Sequence, residues 1–227
     1  MDIISYSPGL VISHWLPKLV TPDAENTSPN LQYTAEDPGD ARSKAFYTRE
    51  TEPWKGKTYI YSELGKPEEV RPMTKAMYLE ELKWDSNLEL RVQQSIYSKI
   101  RNELGVFRPD LASKNFSYTL GDDEQIKILN QDPSLTEDDL QYLTKIFNDR
   151  SGFRDSIHNH AKMAMALVDH DDEVFGGKYK LDLSNIQNTL DYGKLVMLNP
   201  EKMHEAFVRQ IIEHSEKREK PLVDISV

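Results

Sequence analysis

Apolar residues return at every fourth position through Leu88, Val92, Ile96, Ile100 and Leu104, which predicts an amphipathic helix with that stripe in the core. Ser86 and Glu89 precede it at capping-box spacing, and Gly105 stands where a left-handed cap would end it. The reading is a helix over 86–104, after a shorter one over 74–84 with Trp84 near the junction. Upstream, KTYIYSEL (57–64) has the Tyr and Ile content of a strand and closes on Gly65. Downstream, NFSYTLGDDEQIKIL (115–129) predicts a β-hairpin around the Gly-Asp-Asp-Glu turn.

Helical pattern resumes at SLTEDDLQYLTKIF, where Thr136 and Asp139 again have capping-box spacing. Asn148 to Gly152 reads as a break, and the stretch after it predicts a helix over 155–169. VFGGKYKLDL reads as a Gly-Gly turn entering a short strand. Asn199-Pro200 begins a last helix whose apolar face is Met203, Phe207 and Ile211. The fold class is α+β: a predominantly helical body after residue 74 with short strands or a hairpin, preceded by an irregular Pro-rich N-terminal arm. Eight of the twelve prolines lie no later in the chain than Pro72, and TPDAENTSPN and AEDPGDARSK are dense in turn formers. The expected organisation is therefore an arm over 1–56 and a single α+β domain over 57–227, with Trp15 and Trp54 pinning the arm.

Composition narrows the function classes. Twenty-eight basic against 38 acidic residues give a net charge of −10, which is poor for binding phosphate backbones, so no nucleic-acid partner is expected. The chain has no cysteine, which removes disulfides, thiolate zinc sites and cysteine nucleophiles. MDIISYSPGLVISHWLPKLV has no basic n-region, and Ser, His and two prolines interrupt its apolar run. Neither a signal peptide nor a membrane span is expected. The expected location is the cytoplasm, of the producing cell or of one into which the protein is delivered.

The stretch SIHNHAKMAMALVDHDDE (156–173) holds three of the six histidines and poses the question of a metal site. On a helix with Ile157 at 0°, Ala161, Ala164 and Val168 fall within about 40° of it, His158 near 100° and His160 near 300°. Two helical ligands of one ion need a spacing of three or four, so these imidazoles straddle an apolar stripe and are not co-ligands. Ala-Lys-Met-Ala-Met-Ala-Leu is strongly helix-favouring, which decides against an extended His-x-His. His170-Asp171-Asp172 offers the His-x-Asp of a facial triad, with His204 or His214 as a third ligand. Thirty-eight acids among 227 residues produce such a spacing by composition alone. Asp169-His170-Asp171 also mimics a metal-holding D-x-D, but an EF-hand loop counted from Asp169 has Val174 in place of Gly and Lys180 in place of Glu. Acids at a helix C-terminus oppose its dipole, a mild conflict that a solvated helix end does not explain.

There is no P-loop, G-x-G-x-x-G, G-x-S-x-G or H-E-x-x-H. The first reading is thus a non-enzymatic interaction or assembly protein with no cofactor and no membrane partner. It would use the aromatic arm, through Trp15 and Trp54, to contact a protein, another copy of the chain included. The alternative is a metal-assisted enzyme whose divalent ion is held by Asp169, His170, Asp171, Asp172 and His204.

Overall fold

The computed structural model describes residues 38–222 except Glu63 and Gly65. It is α+β: helices with three two-stranded antiparallel pairings. In order, the elements are α1 (Pro38–Phe46), β1 (Thr58–Tyr61), β2 (Glu69–Pro72), α2 (Lys75–Phe107), α3 (Pro109–Ala112), β3 (Phe116–Leu120), β4 (Ile126–Asn130) and α4 (Glu137–Asn148). They continue with α5 (Ser151–His170), α6 (Asp172–Phe175), β5 (Tyr179–Lys180), α7 (Ile186–Thr189), α8 (Tyr192–Val196), α9 (Pro200–His214) and β6 (Glu216–Lys217). No helix among the described residues is long and apolar enough to cross a membrane.

The main departure from the sequence pattern is α2, one helix of 33 residues in place of two. Thr74 caps it, its hydroxyl accepting from the Met77 amide at 3.3 Å. Ser86 is no cap. It is buried in mid-helix, and Glu89 accepts from the Ser156 hydroxyl of α5 at 2.6 Å. Gly105 stays helical; the helix ends at Phe107 because Arg108, preceding Pro109, is disfavoured in helical backbone.

The buried face differs too. Steps of four residues advance about 400°, so the stripe from Leu88 to Leu104 drifts roughly 160° around the helix. Ile100 and Leu104 are buried, Ile96 is half-buried, and Leu88 and Val92 face solvent. The core stripe alternates threes and fours: Ser86, Leu90, Gln93, Tyr97, Ile100, Leu104. It packs antiparallel on α5, with Gln93 Nε2 donating to the Ser156 carbonyl at 3.3 Å. The principal partner of α5 is therefore α2, while α9 meets α5 through Phe207, edge-on to His160 at 5.5 Å.

Several local signals hold as expected. β3 pairs with β4 from Phe116↔Asn130 to Leu120↔Ile126, around the Gly-Asp-Asp-Glu turn. Thr136 and Asp139 form a reciprocal capping box. The carboxamide of Asn148 ends α4 and pairs with both backbone groups of Ile126 at 2.8 Å, tying helix to hairpin. Gly176 and Gly177 both have positive φ, and Pro200 opens α9, although Asn199 makes no side-chain cap bond. At the centre, Tyr118 of the fully buried β3 packs on Tyr97, Phe147, Phe153 and Tyr192 with ring centroids 5.0 to 6.1 Å apart.

Gly193 lets α8 approach β3. A Cβ there would lie 3.0 Å from the Ser117 Cα and collide with its hydroxyl oxygen, which also bonds Asp191. Gly193→Ala is expected to lower stability by about 1–3 kcal/mol in urea denaturation, because backbone must move to admit the methyl. An unchanged midpoint would mean that α8 is not seated on β3.

The stretch 38–56, expected as part of an irregular arm, opens with a helix. The Pro38-Gly39-Asp40 sequence that resembles a turn also suits the first turn of a helix, where proline loses no bond and an acid meets the dipole. α1 ends on Phe46, which is buried and lies edge-on to His158 with centroids 5.4 Å apart. Tyr47 and Trp54 then reach the end of α5, so this stretch packs with the body.

Candidate functional site

The Asp-His cluster sits where α5 ends and α6 begins. Asp171 caps α6, its Oδ1 accepting from the Val174 amide at 3.3 Å. Asp171, Asp172 and Glu173 therefore occupy the start of a new helix, where the dipole favours acids. This settles the electrostatic conflict that the sequence posed.

Each aspartate also has a cation brought by the fold. Asp169, with 5% of its surface exposed, accepts from Arg218 Nη2 at 2.5 Å and from the Tyr47 hydroxyl at 3.0 Å. Asp171 Oδ2 pairs with Lys83 at 2.7 Å, and Asp172 with Lys75 at 2.6 Å. Burial pushes the Asp169 carboxyl above its ordinary range, and Arg218 and Tyr47 partly reverse that. Burial and the neighbouring Asp169 charge raise the Tyr47 phenol, which stays a donor at all ordinary pH. Tyr78 is pushed up to about 12, first by burial and then by Glu50 and Glu81.

His170 is buried among rings, edge-on to Trp54 at 5.6 Å and to Tyr78 at 6.4 Å. It walls two clefts. One of about 230 Å³ includes Tyr47, Glu50 and Lys57, and one of about 430 Å³ includes Lys75, Glu80 and Lys83. His204 of α9 lies within electrostatic reach of Asp171, but Lys83 is nearby as well. Burial and Lys83 hold the His204 imidazole below its usual range, and Asp171 partly opposes them.

No protein-family model, curated protein or solved structure matches the chain.

The fold thus gathers Asp169, His170, Asp171 and Asp172 at one helix junction and brings His204 near Asp171. Among the described residues, no three His, Asp or Glu side chains come together so as to hold a metal ion. The carboxylates point to different cations, and a lysine ammonium already sits on Asp171. His158 and His160 part as the helical wheel requires. His158 Nε2 lies 2.9 Å from the Glu124 carbonyl, whereas His160 is buried with Nδ1 3.2 Å from the Tyr192 hydroxyl. Of the two tryptophans expected to contact a partner, Trp15 falls outside the described residues. Trp54 is half-buried on His170 and Tyr78, with the Lys75 ammonium 5.4 Å above its ring.

The cluster's partners were missed by sequence reasoning. Tyr47, Lys75, Lys83 and Arg218 carry no motif and lie 49 to 122 positions from the groups they bind. The one available signal was the uncompensated acid run itself, which demanded cations from elsewhere.

A second surface is the β1–β2 hairpin. Ile60 pairs with Val70 in register, and the two are 60% and 71% exposed. Thr58 and Pro72 extend that exposed face. On the other face Arg71 lies 3.7 Å over the Tyr61 ring and bonds Glu69. The base is rooted: Lys57 lies 4.8 Å from the Tyr78 ring centre, beside Trp54.

Proposed function

We propose that this chain is a non-enzymatic protein-interaction protein that docks a protein partner on the β1–β2 hairpin. The observation that carries this is the exposed Ile60–Val70 pair on a hairpin that, among the described residues, packs on no other element beyond marginal contact. A lone two-stranded hairpin is marginally stable in water and presents free strand edges, so an added strand or apolar surface stabilises it. Trp54 then serves the interaction from below, fixing the hairpin's base to α2 and α5 rather than meeting the partner directly. The acidic balance suits a partner with a basic rim, and cytoplasm is the compartment this reading takes. Against the metal-assisted alternative stand the three aspartate–cation pairs, which must be broken before those carboxylates could ligate.

A photoreactive phenylalanine analogue at Val70, in the cell that makes the protein, should yield one discrete covalent adduct with a protein. The same group at exposed Asp138 on α4 should yield none. No adduct at Val70, or equal adducts at both positions, would overturn the hairpin reading. A stoichiometric divalent metal in the purified protein, lost on Asp171→Asn, would return the choice to the enzyme.

A further inference from the structure

The outer face of α2 raises a question that the hairpin does not answer. Trp84, Leu88 and Val92 follow one another at helical spacing and are 69%, 48% and 39% exposed. They lie opposite the buried Leu90–Tyr97–Leu104 stripe, so no rearrangement within α2 buries both. A contiguous apolar strip of this kind on a surface helix marks a contact.

Charge identifies what covers it. Measured around the helix from Leu88, Trp84 lies about 40° to one side and Val92 about 40° to the other. Glu81 and Lys99 both lie about 20° from Leu88, on the Val92 side. The apolar strip is therefore bracketed along one line by an acid at its N-terminal end and a base at its C-terminal end. Both are exposed, and neither makes an ion pair among the described residues. The line from Glu81 to Lys99 is about 27 Å long at roughly 1.5 Å per residue.

We propose that this face joins two copies of the chain in an antiparallel dimer whose two-fold axis is level with Leu90. Each residue then faces the one as far beyond position 90 as it lies before it. Leu88 meets Val92 of the second copy, and Glu81 meets Lys99. The symmetry repeats both contacts, giving two apolar pairs flanked by two ion pairs. Trp84 covers the half-buried Ile96 and the exposed Ser95 beside it. A parallel arrangement would set Glu81 on Glu81 and Lys99 on Lys99, so like charges reject it and the antiparallel register is selected. The dimer uses a different surface from the hairpin and stands without it; both hairpins remain open to a further partner.

The 227-residue chain tests this alone, by sedimentation across the micromolar range. The expected result is a concentration-dependent rise from the 26.2 kDa monomer to twice that mass. Leu88→Glu should weaken the dimer by about a hundredfold or more, because it desolvates two carboxylates at the centre of the contact. Glu81→Lys should weaken it about tenfold, and adding Lys99→Glu to the same chain should restore it. That rescue keeps the test valid if Leu88→Glu folds poorly. Since the chain has no cysteine, mixed Leu88→Cys and Val92→Cys chains should form a heterodisulfide under mild oxidation, and neither should do so with Asp138→Cys. A monomer throughout the range, a charge swap that fails to restore association, or indiscriminate disulfides would each overturn the dimer. A monomer that still forms the Val70 adduct in cells would overturn the dimer alone and leave the hairpin reading intact.

Discussion

Arg218→Ala should lower folding stability by about 3–5 kcal/mol at neutral pH, the usual cost of leaving one partner of a buried ion pair uncompensated. The guanidinium does two things. Its Nη2 bonds Asp169 at 2.5 Å, and its Nε donates to the Tyr179 carbonyl at 2.8 Å. The Arg218 amide also donates to the Lys178 carbonyl at 2.7 Å, extending the β5–β6 pairing. Truncation therefore leaves an almost wholly buried carboxylate with the Tyr47 hydroxyl and the field of Arg49 but no direct cation bond, and it loosens the C-terminal segment over α5. Asp169 is already raised by burial, so without Arg218 its ionisation becomes costlier still. A carboxyl whose folded pKa is raised contributes stability at low pH and loses it as pH rises through the folded value. The deficit of Arg218→Ala relative to the parent should accordingly shrink as pH falls toward about 4, the ordinary aspartate value, and Asp169→Asn in the same chain should recover part of it. Urea midpoints at two pH values measure this. A deficit under about half a kcal/mol, or one that grows in acid, would show that the Asp169 charge is not what Arg218 compensates.

Acid itself should unfold the protein through His160. This imidazole is fully buried against Tyr192 and Phe207, and burial, with His204 nearby, pushes it down to about 3. In the unfolded chain it takes a proton below about 6.5, whereas the folded site accepts only the neutral ring. A depressed histidine contributes stability above the unfolded value and loses it as pH falls toward the folded one. The expected loss is about 1.4 kcal/mol per pH unit, or roughly 2 kcal/mol between pH 6.5 and pH 5. His204 is lowered as well, first by burial and then by Lys83, and acts in the same direction. His160→Phe sacrifices the contact with Tyr192 at every pH but should remove most of this slope. Stability curves that run parallel in parent and variant across that same acid range would assign the sensitivity elsewhere.

These two sites differ in how far the sequence announced them. The helical wheel placed His158 and His160 on opposite shoulders of an apolar stripe, and that required only the helical step of about 100° and a helix-favouring string. It did not reveal that His160 would be buried and His158 half-exposed, because that depends on Tyr192 and Phe207 arriving from α8 and α9. For the acid run, the conflict with the dipole of α5 was visible, but its resolution was not.

Local chemistry alone determined the Thr136–Asp139 capping box, the hairpin around Gly121 to Glu124, the Gly176-Gly177 turn, and the start and buried face of α9. In each case the deciding interactions lie within a few residues of one another, so neighbours in sequence are neighbours in space. Tertiary structure decided the rest. Ser86 and Glu89 have the spacing of a cap, yet α5 recruits Glu89 through Ser156 and buries Ser86, and an uninterrupted helix costs less than a break there. The four-residue stripe of α2 was real as a pattern, but its drift left the docking helix to choose which end of it became core. Leu104 went in and Leu88 stayed out. Lys75, Lys83 and Arg218 found their aspartates only because chain closure placed them there, since ion pairs across such separations leave no periodicity to read.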